Sequence, residues 1–143
     1  MTGTRPFKHA LDRLQQAGLR PTRQRLALAR LLFDKADRHV TAEQLHVEAT
    51  EADVRVSLAT VYNTLHQFTG AGLLREVVVE AGRSYFDTNV SDHHHFFFEG
   101  SGHLQDIPGE AVTVAPLPAA PAGTRVARVD VIIRLAPEGP AAE

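Results

Sequence analysis

At 143 residues the chain has room for one ordinary domain or two very small ones, and 43% apolar with only 6% aromatic content predicts an aliphatic core. The lack of cysteine excludes disulfides, thiolate zinc sites (a structural four-cysteine zinc among them), iron–sulfur ligation and cysteine nucleophiles, so any metal site must use His, Asp and Glu. The net charge of −2 conceals an asymmetry: residues 1–70 hold 10 Lys and Arg against 7 Asp and Glu, and residues 71–143 hold 5 against 10, which fits a nucleic-acid reader joined to a module that attracts cations.

No apolar run approaches the roughly 18 residues of a membrane span, and no hydrophobic segment follows Met1–Pro6. The expectation is a soluble, cytoplasmic protein without a membrane partner.

Phe7, Ala10, Leu11, Leu14 and Ala17 recur at helical spacing, and Gly18 supplies a left-handed stop. Thr22 can cap a second helix with Leu26, Ala29, Leu32 and Phe33 on its apolar face; Arg20, Arg23, Arg25 and Arg30 lie in or just before it. Thr41 starts a third helix, with Gln44 completing a capping box and Val40 able to staple to Leu45. After a short extended link, Val54–Val56, Ser57 caps a fourth helix that Gly70 and Gly72 close. Leu74–Val79 and Ser84–Asp87 read as strands around a hairpin turn containing Gly82. Three helices, a capped fourth and a hairpin make a winged helix-turn-helix. Beyond Asp87 short strands are expected at His93–Glu99, Leu104–Ile107 and Thr124–Leu135, with a surface loop at Pro108–Gly123 between the last two.

On a helical wheel the fourth helix puts Leu58, Val61, Leu65 and Phe68 on one side. Ala59, Asn63, His66 and Gln67 lie opposite, flanked by Thr60 and Tyr62. Asn and Gln can pair bidentately with adenine, and Ala and the Thr methyl can meet a thymine methyl, so this face suits a major groove. The helix carries no Lys or Arg; phosphate contacts fall to Arg20, Arg23, Arg25, Arg55 and Arg83 at the wing tip. A merely solvated polar face would look the same on the wheel. The capped third helix before it and the hairpin after it favour DNA.

Asp92-His93-His94-His95 is the densest chemical signal. On a strand, His93 and His95 share one face and His94 takes the other. Asp87 and Asp106 could each bring a carboxylate toward the same point. A His/Asp set without sulfur suits Fe2+, Mn2+ or Zn2+, with hard oxygen favouring the first two.

Gly18-Leu19-Arg20-Pro21-Thr22-Arg23-Gln24-Arg25, His39-Val40-Thr41-Ala42-Glu43, Ser57 to Leu65, Tyr85-Phe86-Asp87 and the histidine run resemble, in order, the Fur (ferric uptake regulator) superfamily. Within it the chain looks most like the Irr branch, the iron-response regulators of alphaproteobacteria. The resemblance covers about residues 7–135. It implies a homodimeric repressor of iron homeostasis genes that binds a double-stranded operator, with Tyr62 as a base contact. It also implies a regulatory metal site at His39, Asp87, His93, His95 and Asp106. Haem is the other ligand implied for the His93-His94-His95 run. Glu99 and Gly102 stand where relatives carry their first cysteine pair, and no histidine lies in Thr124–Leu135 to complete a second metal site, although His94 and Asp92 could serve a remnant of one.

The resulting expectation is an α+β protein. A winged-helix DNA-binding domain occupies residues 1–86, and a small α/β or all-β dimerisation and metal- or haem-sensing module occupies residues 87–143. Two rivals remain. One is a peroxide sensor of the PerR kind, whose five-ligand pattern the same residues satisfy. The other is a small metal-dependent hydrolase using His93 and His95 with an Asp; no general base stands out, so no catalytic residue and no small-molecule substrate are assigned.

Overall fold

Capping chemistry delimits the helices of a computed structural model that describes residues 8–80 and 82–139, leaving Phe7 outside the described residues. Helix α1 spans Lys8–Gln16, and Gly18 beyond it adopts φ +78°, a left-handed turn that disfavours any residue with a Cβ. The Thr22 hydroxyl accepts the Arg25 amide to open α2 (Arg23–Phe33). Thr41 and Gln44 complete a reciprocal capping box at α3 (Ala42–Glu51), and Ser57 accepts the Thr60 amide at α4 (Leu58–Gly70). Gly70 belongs to the last turn of α4, and Gly72, at φ +84°, makes the turn that follows.

The strands are β1 (His39–Val40), β2 (Arg75–Glu80), β3 (Arg83–Asp87), β4 (His93–Phe98), β5 (His103–Pro108) and β6 (Ile132–Leu135). The chain divides into two compact units, residues 1–90 and 91–143. This boundary falls beyond the expected residue 86, because Asp87 completes β3 and Thr88 then ties back to the strand before α3. The Thr88 amide donates to the Arg38 carbonyl at 2.9 Å, and the Arg38 amide donates to the Thr88 hydroxyl at 2.8 Å.

In the first unit, Leu14, Leu28, Leu32, Leu45, Val61, Leu65, Phe68 and Phe86 are buried in one core. Leu26, expected inside, is only partly buried. The core is not purely aliphatic, since Phe33 and Phe68 pack with ring centroids 6.1 Å apart. Beside it lies an antiparallel sheet in the order β1-β3-β2. The β2–β3 hairpin is the wing, and Gly82 in its turn has φ +72°.

The second unit is a three-stranded sheet in the order β5-β4-β6, antiparallel on one side of β4 and parallel on the other. Its described residues contain strands and one 3-10 turn, Gly109–Ala111, and so take the all-β form. The turn packs so close to β4 that a Cβ on Gly109 would stand 2.8 Å from the Asp92 carbonyl oxygen. The long strand expected over Thr124–Leu135 is reduced to Ile132–Leu135. Pairing explains this: His95 faces Ile132 in the parallel register, so counting back puts the first β4 residue, His93, opposite position 130. Residues before 130 find no length of β4 to pair with. Arg128 and Asp130 instead bond to each other.

Candidate metal centre and nucleic-acid interface

Along β4, residues alternate between buried and half-buried, with His93, His95 and Phe97 on the buried face. Antiparallel pairing sets His95 opposite Asp106 of β5. The Nε2 atoms of His93 and His95 lie 3.5 and 3.4 Å from Asp106 Oδ1. One ligand atom from each of the three residues lies within 4.8 Å of the others. These separations are long for hydrogen bonds. They match the ~3.4 Å expected between two ligands that each sit about 2.1 Å from one ion at a tetrahedral angle.

The local backbone prepares this cluster. His93 Nδ1 is 2.6 Å from the Ser91 carbonyl oxygen, which can only accept, so Nδ1 donates and the neutral ring presents the lone pair of Nε2. His95 is 2% exposed, whereas Asp106 is 45% exposed and leaves the cluster open to solvent on its carboxylate side. Two imidazoles and a carboxylate without sulfur are the donor set of Fe2+, Mn2+ or Zn2+. His94 turns away: its Nδ1 accepts the Val131 amide at 3.1 Å. The histidine run therefore does not converge on one point.

In the first unit, the register of β1 with β3 sets His39 opposite Asp87, and cross-strand partners project from the same face of a sheet. Asp87 is 1% exposed and one of its carboxylate oxygens accepts the Asn89 amide at 2.9 Å. The His39 ring meets Tyr85 edge-on, with centroids 6.3 Å apart. The register places His39 beside Asp87 on the first unit's sheet, but His39 is not among the residues whose ligand atoms lie within 4.8 Å of one another.

The capped α4 buries Val61, Thr64, Leu65 and Phe68 and exposes Ala59, Tyr62, Asn63, His66 and Gln67, with Thr60 half-buried. Arg25 is held beside this face: Nε donates to Gln67 Oε1 at 3.1 Å, and Nη1 donates to the Arg20 carbonyl at 2.9 Å. Arg20, Thr22, Arg25, Thr60, Asn63 and Gln67 line a cleft of about 440 Å³. Arg23 lies exposed in the first turn of α2 and Arg83 at the start of β3, by the wing tip. Arg55 is likewise exposed. The Tyr62 hydroxyl donates to Glu43 Oε2 at 2.9 Å. Its phenol is held above the usual range near 10, first by that hydrogen bond, then by burial and by the charge of Glu43. Sequence reading missed Glu43, since nothing local joins it to a tyrosine 19 residues away.

A winged helix-turn-helix with a polar α4 face flanked by arginines, followed by a small β module bearing an imidazole–carboxylate cluster, is the arrangement of a metal-responsive DNA-binding regulator. The model of the Ferric uptake regulator family matches residues 16–131, and the chain belongs to that family. Its members are transcription regulators, not enzymes. The peroxide-responsive repressor PerR of Staphylococcus aureus is 32% identical over 101 residues, covering 71% of this chain and 68% of that protein. The ferric uptake regulator of Pseudomonas aeruginosa, solved with manganese, superposes with a TM-score of 0.68 at 23% identity, covering 91% of this chain and 98% of the other. A zinc-bound manganese uptake regulator superposes at 0.64 and 24% identity, covering 91% and 99%. At such identities the structures speak for the fold. Among the described residues no helix is long and apolar enough to cross a membrane.

Proposed function

We propose that this chain is a homodimeric, metal-dependent repressor in which α4 reads operator DNA and His39, Asp87, His93, His95 and Asp106 hold one regulatory divalent ion. The observation that carries the reading is the cluster on β4 and β5, where two imidazole nitrogens stand 3.4–3.5 Å from one carboxylate oxygen. His39 and Asp87 belong to the unit that reads DNA. The protein's own contribution is to present Nε2 of His93 through the Ser91 carbonyl and to hold one Asp87 carboxylate oxygen in place through the Asn89 amide. DNA reading falls to Ala59, Thr60, Tyr62 and Asn63, with Arg20, Arg23, Arg25 and Arg83 on phosphates.

The test compares two neighbours. In metal analysis and gel-shift assays, His95→Ala should lose most bound Mn2+ or Fe2+ and any metal-dependent change in DNA binding, while His94→Ala should keep both. Loss of the ion in His94→Ala with retention in His95→Ala would sink the site.

The regulated genes are inferred to be those of iron homeostasis, in the manner of the Irr branch, on the strength of the Leu-Arg-Pro-Thr-Arg-Gln-Arg stretch and the three-histidine run. Haem is the second ligand proposed for His93, His94 and His95, with His94, on the other face of β4, the residue not spent on the divalent ion. Haemin should then perturb its absorption spectrum on binding wild type, and less so on binding His94→Ala; an unchanged spectrum in wild type ends the haem reading. The 32% identity to a peroxide-responsive repressor favours peroxide sensing as a second reading. Peroxide with bound Fe2+ should in that case add the mass of oxygen to a ligand histidine.

A further inference from the structure

Tyr62 is 36% exposed on the face of α4 turned toward DNA in the proposed function, yet the ring is held at two points. Its hydroxyl donates to Glu43, and its face lies nearly parallel to His66, with centroids 6.5 Å apart and 17° between planes. Glu43 is itself well placed. It sits in the first turn of α3, where the helix end favours a carboxylate, directly inside a capping box whose two reciprocal bonds are both made. Helices α3 and α4 share the core through Leu45, Ala49, Val61 and Leu65, so donor and acceptor are mounted on one packed body.

A phenol has one hydrogen to donate. While Glu43 accepts it, Tyr62 cannot donate to a phosphate or a base; its oxygen keeps an acceptor site, and the rest of what it offers a groove is the apolar edge of its ring. The apolar feature of the major groove is the thymine methyl. We propose that Glu43 is a specificity-determining positioning residue, clamping the Tyr62 hydroxyl so that the ring edge recognises a thymine methyl group. This rests on α4 being the DNA-reading helix. The raised phenol titration, caused chiefly by the Glu43 hydrogen bond, agrees with the geometry.

The experiment has a DNA-free arm and a DNA arm. The chain has two tyrosines, Tyr62 and the buried Tyr85, and no tryptophan, so tyrosinate absorbance against pH is readable and Tyr62→Phe assigns the signal. Glu43→Ala should lower the Tyr62 titration toward the ordinary phenol range. For the DNA arm, a duplex is selected by wild-type protein from a random-sequence pool, and its thymines are replaced one at a time by uracil, which removes only the methyl. Wild type should lose about fourfold in affinity at one position, the worth of one buried methyl. Glu43→Ala and Tyr62→Phe should each erase that difference, the double variant should be no worse than either, and Glu43→Gln, which keeps an acceptor, should preserve it. An unchanged titration or an intact thymine–uracil difference in Glu43→Ala overturns the clamp. If Tyr62→Ala bound the selected duplex as tightly as wild type, the assignment of α4 would fall, and the clamp's role in recognition with it.

Discussion

Three chemically identical neighbours, His93, His94 and His95, have unequal surroundings because a strand alternates its faces. His93 and His95 are buried against Asp106, while His94 spends a nitrogen on the Val131 amide. Acidification should release the ion from the first two, since protons and metal compete for the same imidazole nitrogens; metal content measured against pH checks this. On α4, Asn63→Ala should cost about 1–3 kcal/mol of operator affinity and relax specificity at its base. Arg23→Ala and Arg83→Ala should instead weaken binding to all sequences and flatten its salt dependence. Equal loss on operator and random duplexes in Asn63→Ala would remove it from the groove. At Tyr62 the folded phenol titrates above its unfolded value, so its bond to Glu43 contributes stability in full below about pH 10, lost as pH rises through the elevated value. Denaturation midpoints of wild type and Tyr62→Phe should therefore converge above that range.

At the scale of elements, caps and close approaches decide where the chain turns. Thr41→Ala removes the acceptor for the Gln44 amide and should destabilise the first unit by about 1 kcal/mol, read from denaturant unfolding. The same box orients the first turn of α3, which carries Glu43, so a stable but less discriminating variant would fit the clamp. Gly109→Ala should act on the metal cluster from outside it. Its new Cβ would strike the Asp92 carbonyl at 2.8 Å, one residue before His93, and the backbone there has to give. Lower metal affinity with DNA binding by the metal-free protein unaltered is the expected result. An unchanged metal affinity would mean that the turn relaxes without moving β4.

For the whole molecule, the second unit buries few apolar side chains among the described residues: Phe97, Leu104 and Ile107. Val114, Leu117 and Val126 remain exposed, and β5 and β6 are both sheet edges among the described strands. A sheet of this size needs further cover, and a second copy of the chain would supply it symmetrically. The dimer interface is therefore expected at β6 and these exposed side chains. Light scattering at micromolar concentration should give the mass of a dimer, and Leu117→Asp with Val126→Asp should shift it toward the monomer. A dimer unmoved by both substitutions would place the interface elsewhere.

What the sequence determined by itself is what short-range chemistry controls. Thr22, Thr41 and Ser57 cap helices because a hydroxyl reaches an amide three residues on, and the faces of α4 and β4 follow from periods of 3.6 and 2. The exposed polar face of α4 and the separation of His94 from His93 and His95 were legible on that basis. The partners were not. His95 opposite Asp106, His39 opposite Asp87 and Glu43 beneath Tyr62 depend on which strand or helix packs beside which, and at what register. Likewise Thr124–Leu135 has the β-branched residues of a strand throughout, yet only Ile132–Leu135 pairs as one, and the residues before position 130 lie beyond the start of β4. A strand exists only where a neighbour completes its hydrogen bonds, and that neighbour is a property of the folded chain.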